Sequence, residues 1–476
     1  MSRITINETE LKSIANFNAT ENTVLIPIVY SMPASFVIAA DKLVVADGAE
    51  NFDASSQIKL ADAKKLDAKA AVGDTCVYKV TSGKYEYTVD ESKLVSKEYT
   101  SANLLANDFA TVLVAAELDK SYIMAHNLLS RGLTVVVKPI KASYGEITEK
   151  PTSPIVPALS LSEQEIRKLI SAEFAAGGFD EFEDKNKWNI KFITTGGYHN
   201  YEKDVDGTTL ATYISTLAAA RGDAVALIEF ASELGSTDAE VIKAVKDASA
   251  INEYTAAFFP WGVHSGLSVG GDLTKMPACF SYLLAFANSA RNNANWFAAA
   301  GASRGEVPTL RYPSYEVGES LMHVLQGETS FVDGDNISTL SVRINPIMNT
   351  GVYGYRVWGN RVFDTVAGNT ENASFRDFLN VRLLLCDLKK QIYHSSMRIM
   401  YEPNDDIAWF NFKALVNPLL DKMKSGRGVE YYIWKKNVVE SKATLSAELI
   451  IKPIEAIEEI TIDVNLTDAD LEVEEA

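Results

Sequence analysis

Apolar residues in the second half of the chain change period at regular intervals, and this change predicts alternating strands and helices. Short runs rich in β-branched and aromatic residues are typical of buried strands, whereas apolar residues three and four positions apart are typical of a helix. From residue 188 onward the order is strand WNIKFITT (188–195), helix TLATYISTLAAARG (209–222), strand AVALIEF (224–230), helix DAEVIKAVKDAS (238–249) and strand YTAAFF (254–259). This alternation indicates a largely parallel sheet covered by helices.

The first part of the chain has a different pattern of apolar and polar residues. An uncharged run at 23–40 approaches the ~20 residues that span a bilayer, but Pro27 and Pro33 interrupt it, so we predict a buried strand followed by a turn. Residues 38–118 contain short alternating strands such as CVYKV and YEYTV and indicate a small β-rich module. The segment 120–140 then predicts a helix that ends at a C-cap-like glycine and a buried strand, LTVVVKPI.

Two long helices and two strands are predicted near the end of the sequence. The segments 381–400 and 407–426 repeat apolar residues at helical spacing, and Asn404 or Asp405 precedes the second one as an N-cap. Residues 445–466 then predict two strands, the second with apolar and polar residues in alternation.

These patterns predict a mixed α/β and α+β protein with several segments. We expect an N-terminal arm (1–22), a β-rich N-terminal domain with one helix (23–150), a connection (151–187), a core domain with a helix-covered mixed sheet (188–444), a C-terminal strand arm (445–466) and an acidic tail (467–476).

Charge and cysteine content narrow the classes of function. The 476 residues carry a formal net charge of −18, which repels phosphate backbones and anionic headgroups, so nucleic acid and membrane surfaces are disfavoured partners. Cys76, Cys279 and Cys386 are far apart and form no CxxC pair, which disfavours a disulfide framework and a zinc site. The first residues lack an apolar signal segment, so we expect synthesis in a cytoplasm.

Candidate chemistry is sparse, and we predict no catalytic, cofactor-binding or metal-binding residues. The segment GASRG has the spacing of a nucleophile elbow around Ser303, but ANSARNNANWFAAA before it predicts a helix where an elbow needs a strand. The segment EKDVDG resembles the start of a calcium loop, yet its twelfth position is Tyr213 instead of a bidentate glutamate. The histidines show no paired metal-ligand spacing.

The second half of the sequence resembles the contractile tail sheath proteins of bacteriophages. Seven pieces of the resemblance stand in order: FITTGGY (192–198), AAFFPWG (256–262), MPACFSYLLAFANSARNNANWFAAAGASRG (276–305), RINPIMNTGVYGYRVWGNR (343–361), NVRLLLCDLKKQIYHSSMRIMYEPND (380–405), WFNFKALVNPLLDKMKSGRG (409–428) and IKPIEAIEEITIDVNL (451–466). In the first half, only KSYIMAHNLLSRGLTVVVKPI (120–140) is similar to the family.

This resemblance implies a structural role without a cofactor. Hexameric rings of the protein would stack helically around a tail tube, between a baseplate and a tail terminator, and contraction would drive the tube through the host envelope for genome ejection. The protein would be assembled in the host bacterial cytoplasm and reside in the virion tail. Strands at both ends of the chain would pair with neighbouring subunits through Ile4, Ile6, Leu449, Ile451, Ile460, Ile462 and Val464.

Other interpretations stay open at this point. The same sheath could belong to a phage-derived particle, such as a tailocin or an injection system. Residues 445–466 could form an internal hairpin instead of an arm. A cytoplasmic hydrolase that uses Ser303 is the alternative from another class.

Overall fold

The computed structural model describes most of the chain from residue 94 onward and short strands before it. The described residues are 22–30, 36–39, 44–45, 57–59, 63–65, 77–81, 84–88, 94–113, 120–142, 162–200, 205–248, 251–267, 273–334, 336–363, 377–436, 445–454 and 456. The predictions for Ile4, Ile6, Ile460, Ile462 and Val464 lie outside them.

Strands and helices alternate along these residues. The helices are α1 Ala102–Leu113, α2 Lys120–Ser130, α3 Glu163–Ala175, α4 Val205–Arg221, α5 Asp238–Val245, α6 Ala278–Asn292, α7 Gly301–Arg304, α8 Glu319–Leu325, α9 Leu379–Met397 and α10 Asp406–Ser425. The strands are β1 Thr23–Tyr30, β2 Phe36–Ala39, β3 Val44–Val45, β4 Gln57–Lys59, β5 Ala63–Lys65, β6 Val77–Thr81, β7 Lys84–Thr88, β8 Lys97–Tyr99, β9 Thr134–Lys141, β10 Phe192–Ile193, β11 Val225–Glu229, β12 Thr255–Phe259, β13 Gly262–His264, β14 Thr274–Met276, β15 Leu310–Pro313, β16 Phe331–Asp333, β17 Asn336–Ser338, β18 Ile344–Asn349, β19 Tyr355–Val357, β20 Val429–Lys436 and β21 Ala447–Pro453.

The central element is an eight-stranded mixed sheet with the order β19-β18-β12-β11-β10-β1-β9-β8. Its six inner strands are parallel, and β8 and β19 pair antiparallel at the two edges. The predicted fold class, a helix-covered mixed sheet with smaller β structure, is confirmed. Among the N-terminal strands, β6 and β7 pair antiparallel, with β4 beside β6 and β2 beside β7.

The sheet crosses the boundary that the sequence predicted at residues 151–187. β1 and β9 come from the predicted N-terminal domain, yet β1 pairs with β10 through Val24 opposite Phe192 and Leu25 opposite Ile193. Because all eight residues of β1 are buried, this strand needs cover on both faces, which a small separate module would not supply. Residues 23–30 and 134–141 therefore belong to the same sheet as the core strands.

Side chains of the parallel strands alternate between two apolar layers, as the period of a strand requires. On β1, Val24, Ile26 and Ile28 join the cluster under α1, α2 and α6, whereas Leu25 and Val29 join the cluster under α3 and α4. A third cluster continues the second layer beneath α5 and α8. Residues 23–30 of the uncharged run thus form a core strand. Within the described residues no helix is long and apolar enough to cross a bilayer.

Two local predictions need correction. The segment before GASRG was expected to be helical throughout, but α6 ends at Asn292 and Asn293 caps it, with both its backbone N–H and its side-chain amide donating to Ser289 O. Asparagine competes for backbone groups in this way, so the helix stops there. The sequence also predicted one helix in residues 23–150, whereas the structure has α1 in addition to α2.

Helix α9 joins the sheet to the C-terminal part of the chain. The Nζ of Lys191 donates to Asp387 Oδ2 at 2.7 Å, and both side chains are buried. On the same helix, Leu384 and Leu388 pack against α10. Asp405 caps α10 by accepting from the Ala408 N–H at 2.9 Å. The predicted N-cap and both predicted helices are confirmed.

Candidate assembly surface

A two-stranded hairpin of β20 and β21 lies on helix α10. The two strands are antiparallel, with Tyr432 opposite Ile451, Ile433 opposite Ile450 and Trp434 opposite Leu449. Within the described residues no third strand pairs with either of them. Unpartnered edges of this kind are templates for strands from other chains.

The inward face of the hairpin is fixed to α10 by aromatic contacts and hydrogen bonds. The ring of Trp434 stands edge-on to Trp409 at 5.7 Å and to Phe412 at 5.6 Å. Its indole N–H donates to Asn417 Oδ1 at 2.9 Å, and Tyr432 O–H donates to an Asp421 oxygen at 2.7 Å. Partial burial and this bond to Asp421 raise the pKa of Tyr432 to about 12, so the phenol stays a donor at neutral pH.

The outward face of the hairpin is apolar along its middle and charged at both ends. Ile433 is 53% exposed, and Ile450 and Tyr431 are each 42% exposed. Two ion pairs, Lys435 with Glu448 and Lys452 with Glu430, flank this strip. An exposed apolar strip with a charged border beside open strand edges suits the docking of another β-strand.

The base of the hairpin rests on Trp296, which lies in the loop between α6 and α7. The indole N–H of Trp296 donates to Gly426 O at 2.8 Å. A Cβ at Gly426 would lie 2.6 Å from a ring carbon of Trp296, so this close approach needs glycine. The contact fixes where the chain leaves α10 and enters β20.

Ser303 lies in α7, a helix of only four residues that follows a loop, and its side chain is exposed. Residues 293–300, directly before this helix, form a loop, so the strand-to-helix turn of a nucleophile elbow is not formed there. Within the described residues no group of three or more His, Cys, Asp and Glu side chains could hold a metal ion.

The polar cluster at the carboxyl ends of β10 and β11 is closed to solvent. Burial raises the pKa of Glu229 to about 8 and raises the pKa of the Cys279 thiol well above its ordinary value. Thr195 O–H donates to Glu229 Oε1 at 3.4 Å, and all three side chains are fully buried. A neutral thiol without access to substrate is not a nucleophile, so these residues contribute to packing.

Solved structures with a similar overall fold come from contractile particles. A chain of the sheath complex of an extracellular contractile injection system, PVC, in its contracted state is 13% identical, with a TM-score of 0.53 over 78% of this chain and 87% of its own. A chain of the 6-fold symmetrised baseplate of the anti-feeding prophage is 11% identical, with a TM-score of 0.54 over 94% of both chains. This chain has the fold of a contractile sheath protein.

A third similar chain comes from the anti-feeding prophage baseplate in the contracted state, with 14% identity and a TM-score of 0.52 over 76% of this chain and 86% of its own. No sequence-family model and no curated protein sequence matches the chain. At these identities the sheath fold is shared although most side chains differ.

The side chains of Leu449 and Ile451, two of the residues predicted to contact a neighbouring subunit, face the body of their own chain. They lie on the inward face of β21 and pack with Trp434 and Tyr432 against α10, because alternate residues of a strand point to the same side. Residues 447–453 thus form a hairpin with β20, and residues 460–466, the other strand of the internal-hairpin interpretation, lie outside the described residues.

The exposed residues of the hairpin were missed at the level of sequence. Tyr431, Ile433 and Ile450 carry the outward strip, and the alternation in VEYYIWKK (429–436) was the pattern that could have revealed it. Five of the eight residues in this run are aromatic or β-branched, which is typical of a strand with one buried face.

Proposed function

We propose that this chain is the sheath subunit of a contractile particle. Hexameric rings would stack helically around an inner tube, and their contraction would drive the tube through the envelope of a target cell. The role is structural and needs no nucleotide or catalytic residue. The observation that carries the proposal is the sheath fold, together with a surface hairpin whose two edges have no strand partner within the described residues.

Strand exchange would connect the subunits. Because β21 already pairs with β20 in its own chain, the exchanged C-terminal segment would begin after Ala456 and include Ile460, Ile462 and Val464. Residues 1–22, with Ile4 and Ile6, would supply a second strand. Each main-chain hydrogen bond contributes ~1 kcal/mol net and each buried aliphatic side chain ~1.5 to 3 kcal/mol, so two such strands would hold neighbours together while the bodies rotate.

The remaining parts of the proposal concern partners and setting. The tube protein, a baseplate and a tail terminator would contact the sheath, and assembly would take place in a bacterial cytoplasm. In a phage the particle would eject a genome, whereas in a tailocin or an injection system the same contraction would serve a particle without one. The similar chains from PVC, an extracellular contractile injection system, and from the anti-feeding prophage support the setting of a phage-derived particle. Purified particles with or without a DNA-filled head distinguish the two.

Electron microscopy of the purified full chain tests the proposal directly. We expect tubes built of stacked rings, in isolation or after addition of the tube protein, and a chain that stays monomeric under both conditions contradicts it. Deletion of 457–476 should abolish the tubes but leave the monomer folded, since β21 and all described helices remain. Tubes of normal length from this deletion would refute strand exchange.

A pair of substitutions tests the outward strip of the hairpin. Ile450→Asp adds a charge to the surface on which the incoming strand would lie, so tube formation should fall at least ten-fold. Ile337→Asp is the matched control, because Ile337 is 78% exposed on the separate β16–β17 hairpin. Both monomers should unfold at the wild-type temperature, and equal tube yields from the two variants would exclude this strip from the contact.

A further inference from the structure

A groove of about 490 Å³ opens beside the base of the β20–β21 hairpin. Three half-buried aromatic residues, Trp296, Phe297 and Trp358, form its apolar wall. Arg304 and Arg427 add two positive charges, whereas the one carboxylate among the described lining residues, Glu328, lies 2.7 Å from His323. The groove thus combines an apolar wall with a positive border, on a chain of formal net charge −18.

The walls of this groove are held in place before anything binds. Trp296 is fixed by its hydrogen bond to Gly426 O and by close contact with Gly428, where a Cβ would lie 2.9 Å from the indole. Arg304 donates from Nε to Ala298 O at 3.0 Å, and its guanidinium lies 5.2 Å from the centre of the Phe297 ring. A preorganised groove binds a segment at lower entropic cost.

The chain itself enters the groove. After β21, the Ile454 N–H donates to Gly428 O at 3.1 Å, and both Ile454 and Ala456 line the groove. Residues 457–476 follow in the sequence without a lysine or an arginine. Their carboxylates are Glu458, Glu459, Asp463, Asp468, Asp470, Glu472, Glu474 and Glu475.

The segment 457–466, IEEITIDVNL, combines both properties that the groove would recognise. Its Ile457, Ile460 and Ile462 are apolar, and its acidic residues complement Arg304 and Arg427. We propose that, in the free subunit, residues 457–466 dock in the groove of their own chain.

Docking in the same chain is favoured over docking in a second copy. Ala456 already lies in the groove, so the next residues are held near it at an effective concentration of order mM. In a micromolar solution the segment of another molecule is therefore outcompeted. Because the same segment carries the proposed inter-subunit strand, docking would keep a free subunit from pairing too early. That consequence, unlike the docking, rests on the proposed function.

Disulfide trapping in the full chain tests the docking without any assembly step. In a Cys76→Ser background the remaining thiols, Cys279 and Cys386, are buried. Ile460→Cys is combined with Ala300→Cys in the groove, or with Ala172→Cys, an exposed position on α3 outside the groove. After mild oxidation at micromolar protein concentration, we expect the yield of the intrachain disulfide to be at least about ten-fold higher with Ala300→Cys than with Ala172→Cys.

The outcomes separate the occupants of the groove. Equal yields at the two positions would overturn the docking, and a link between two chains, seen as a dimer without reductant, would assign the groove to a second copy instead. Arg427→Glu should lower the yield about two- to five-fold, whereas Arg398→Glu, an exposed arginine outside the groove, should not. If the disulfide does not form but the protein still assembles into normal tubes, the docking is rejected and the proposed sheath function is not.

Discussion

Truncation of Trp434 should release the hairpin from α10 without unfolding the central sheet. Trp434→Ala removes two edge-on ring contacts, with Trp409 and Phe412, and the hydrogen bond to Asn417. A fully buried tryptophan loses ~3 to 5 kcal/mol on truncation to alanine, and a half-buried one about half as much. We therefore expect a loss of ~2 kcal/mol, which is an approximately 30-fold change in an opening equilibrium.

Amide hydrogen exchange measures this change segment by segment. Surface hairpins open locally at lower free energy than core strands, so the amides of β20 and β21 should exchange about 30-fold faster in Trp434→Ala. The amides of β1 and β9, which lie inside the parallel sheet, should keep their wild-type rates. Tyr431→Ala is the matched control, because Tyr431 lies on the outward face of the same strand and its truncation should change exchange no more than about two-fold.

Two results would refute this reasoning. If hairpin amides in Trp434→Ala exchange within two-fold of wild type, the aromatic contacts do not hold the hairpin. If exchange accelerates equally in β20, β21 and β1, the hairpin and the sheet unfold as one unit. Trp434→Phe keeps a ring at this position but loses the bond to Asn417, so an intermediate effect of ~1 kcal/mol is expected.

Three further substitutions test buried charge, protonation and capping. Asp387→Asn leaves the buried Lys191 ammonium without its carboxylate, so the free energy of unfolding in urea should fall by ~3 to 5 kcal/mol. Burial raises the pKa of Glu229 from 4.5 to about 8. The contribution of its proton to the free energy of unfolding is therefore fully present below pH 4.5 and is lost as the pH rises through 8. Glu229→Gln should therefore gain unfolding free energy relative to wild type across that window, measured by urea titrations. Asp405→Ala should lower the thermal midpoint through loss of ~1 kcal/mol of capping.

Each of these has an outcome that contradicts it. Lys191→Met with Asp387→Leu should recover most of the stability lost in Asp387→Asn, since no charge is then left unpaired. A difference between Glu229→Gln and wild type that stays constant from pH 4.5 to 8 would show that the carboxyl does not titrate in this range. Asp405→Asn should retain the cap, so equal losses in the alanine and asparagine variants would exclude capping as the cause.

Much of the sheath body could be predicted from the sequence because local periodicity determines which residues are buried. The alternation after residue 188 gave the correct order of strands β10, β11 and β12 with helices α4 and α5 between them. The helices α9 and α10 and the N-cap at Asp405 followed from the same reasoning. An order of seven motifs also indicated the sheath fold, which the solved structures confirm at identities of 11 to 14%.

Only the tertiary structure showed which distant segments meet. The pattern of β1 predicts burial but does not say which strands cover it, and its pairing with β10 joins residues that the sequence had placed in different domains. The hairpin of β20 and β21 likewise depends on a partner within the chain, which turns Leu449 and Ile451 inward and leaves Ile433 and Ile450 outside. Periodicity along the chain determines which face of an element is buried. Pairing depends on the packing of all elements together, and this packing decides which strand edges stay open among the described residues.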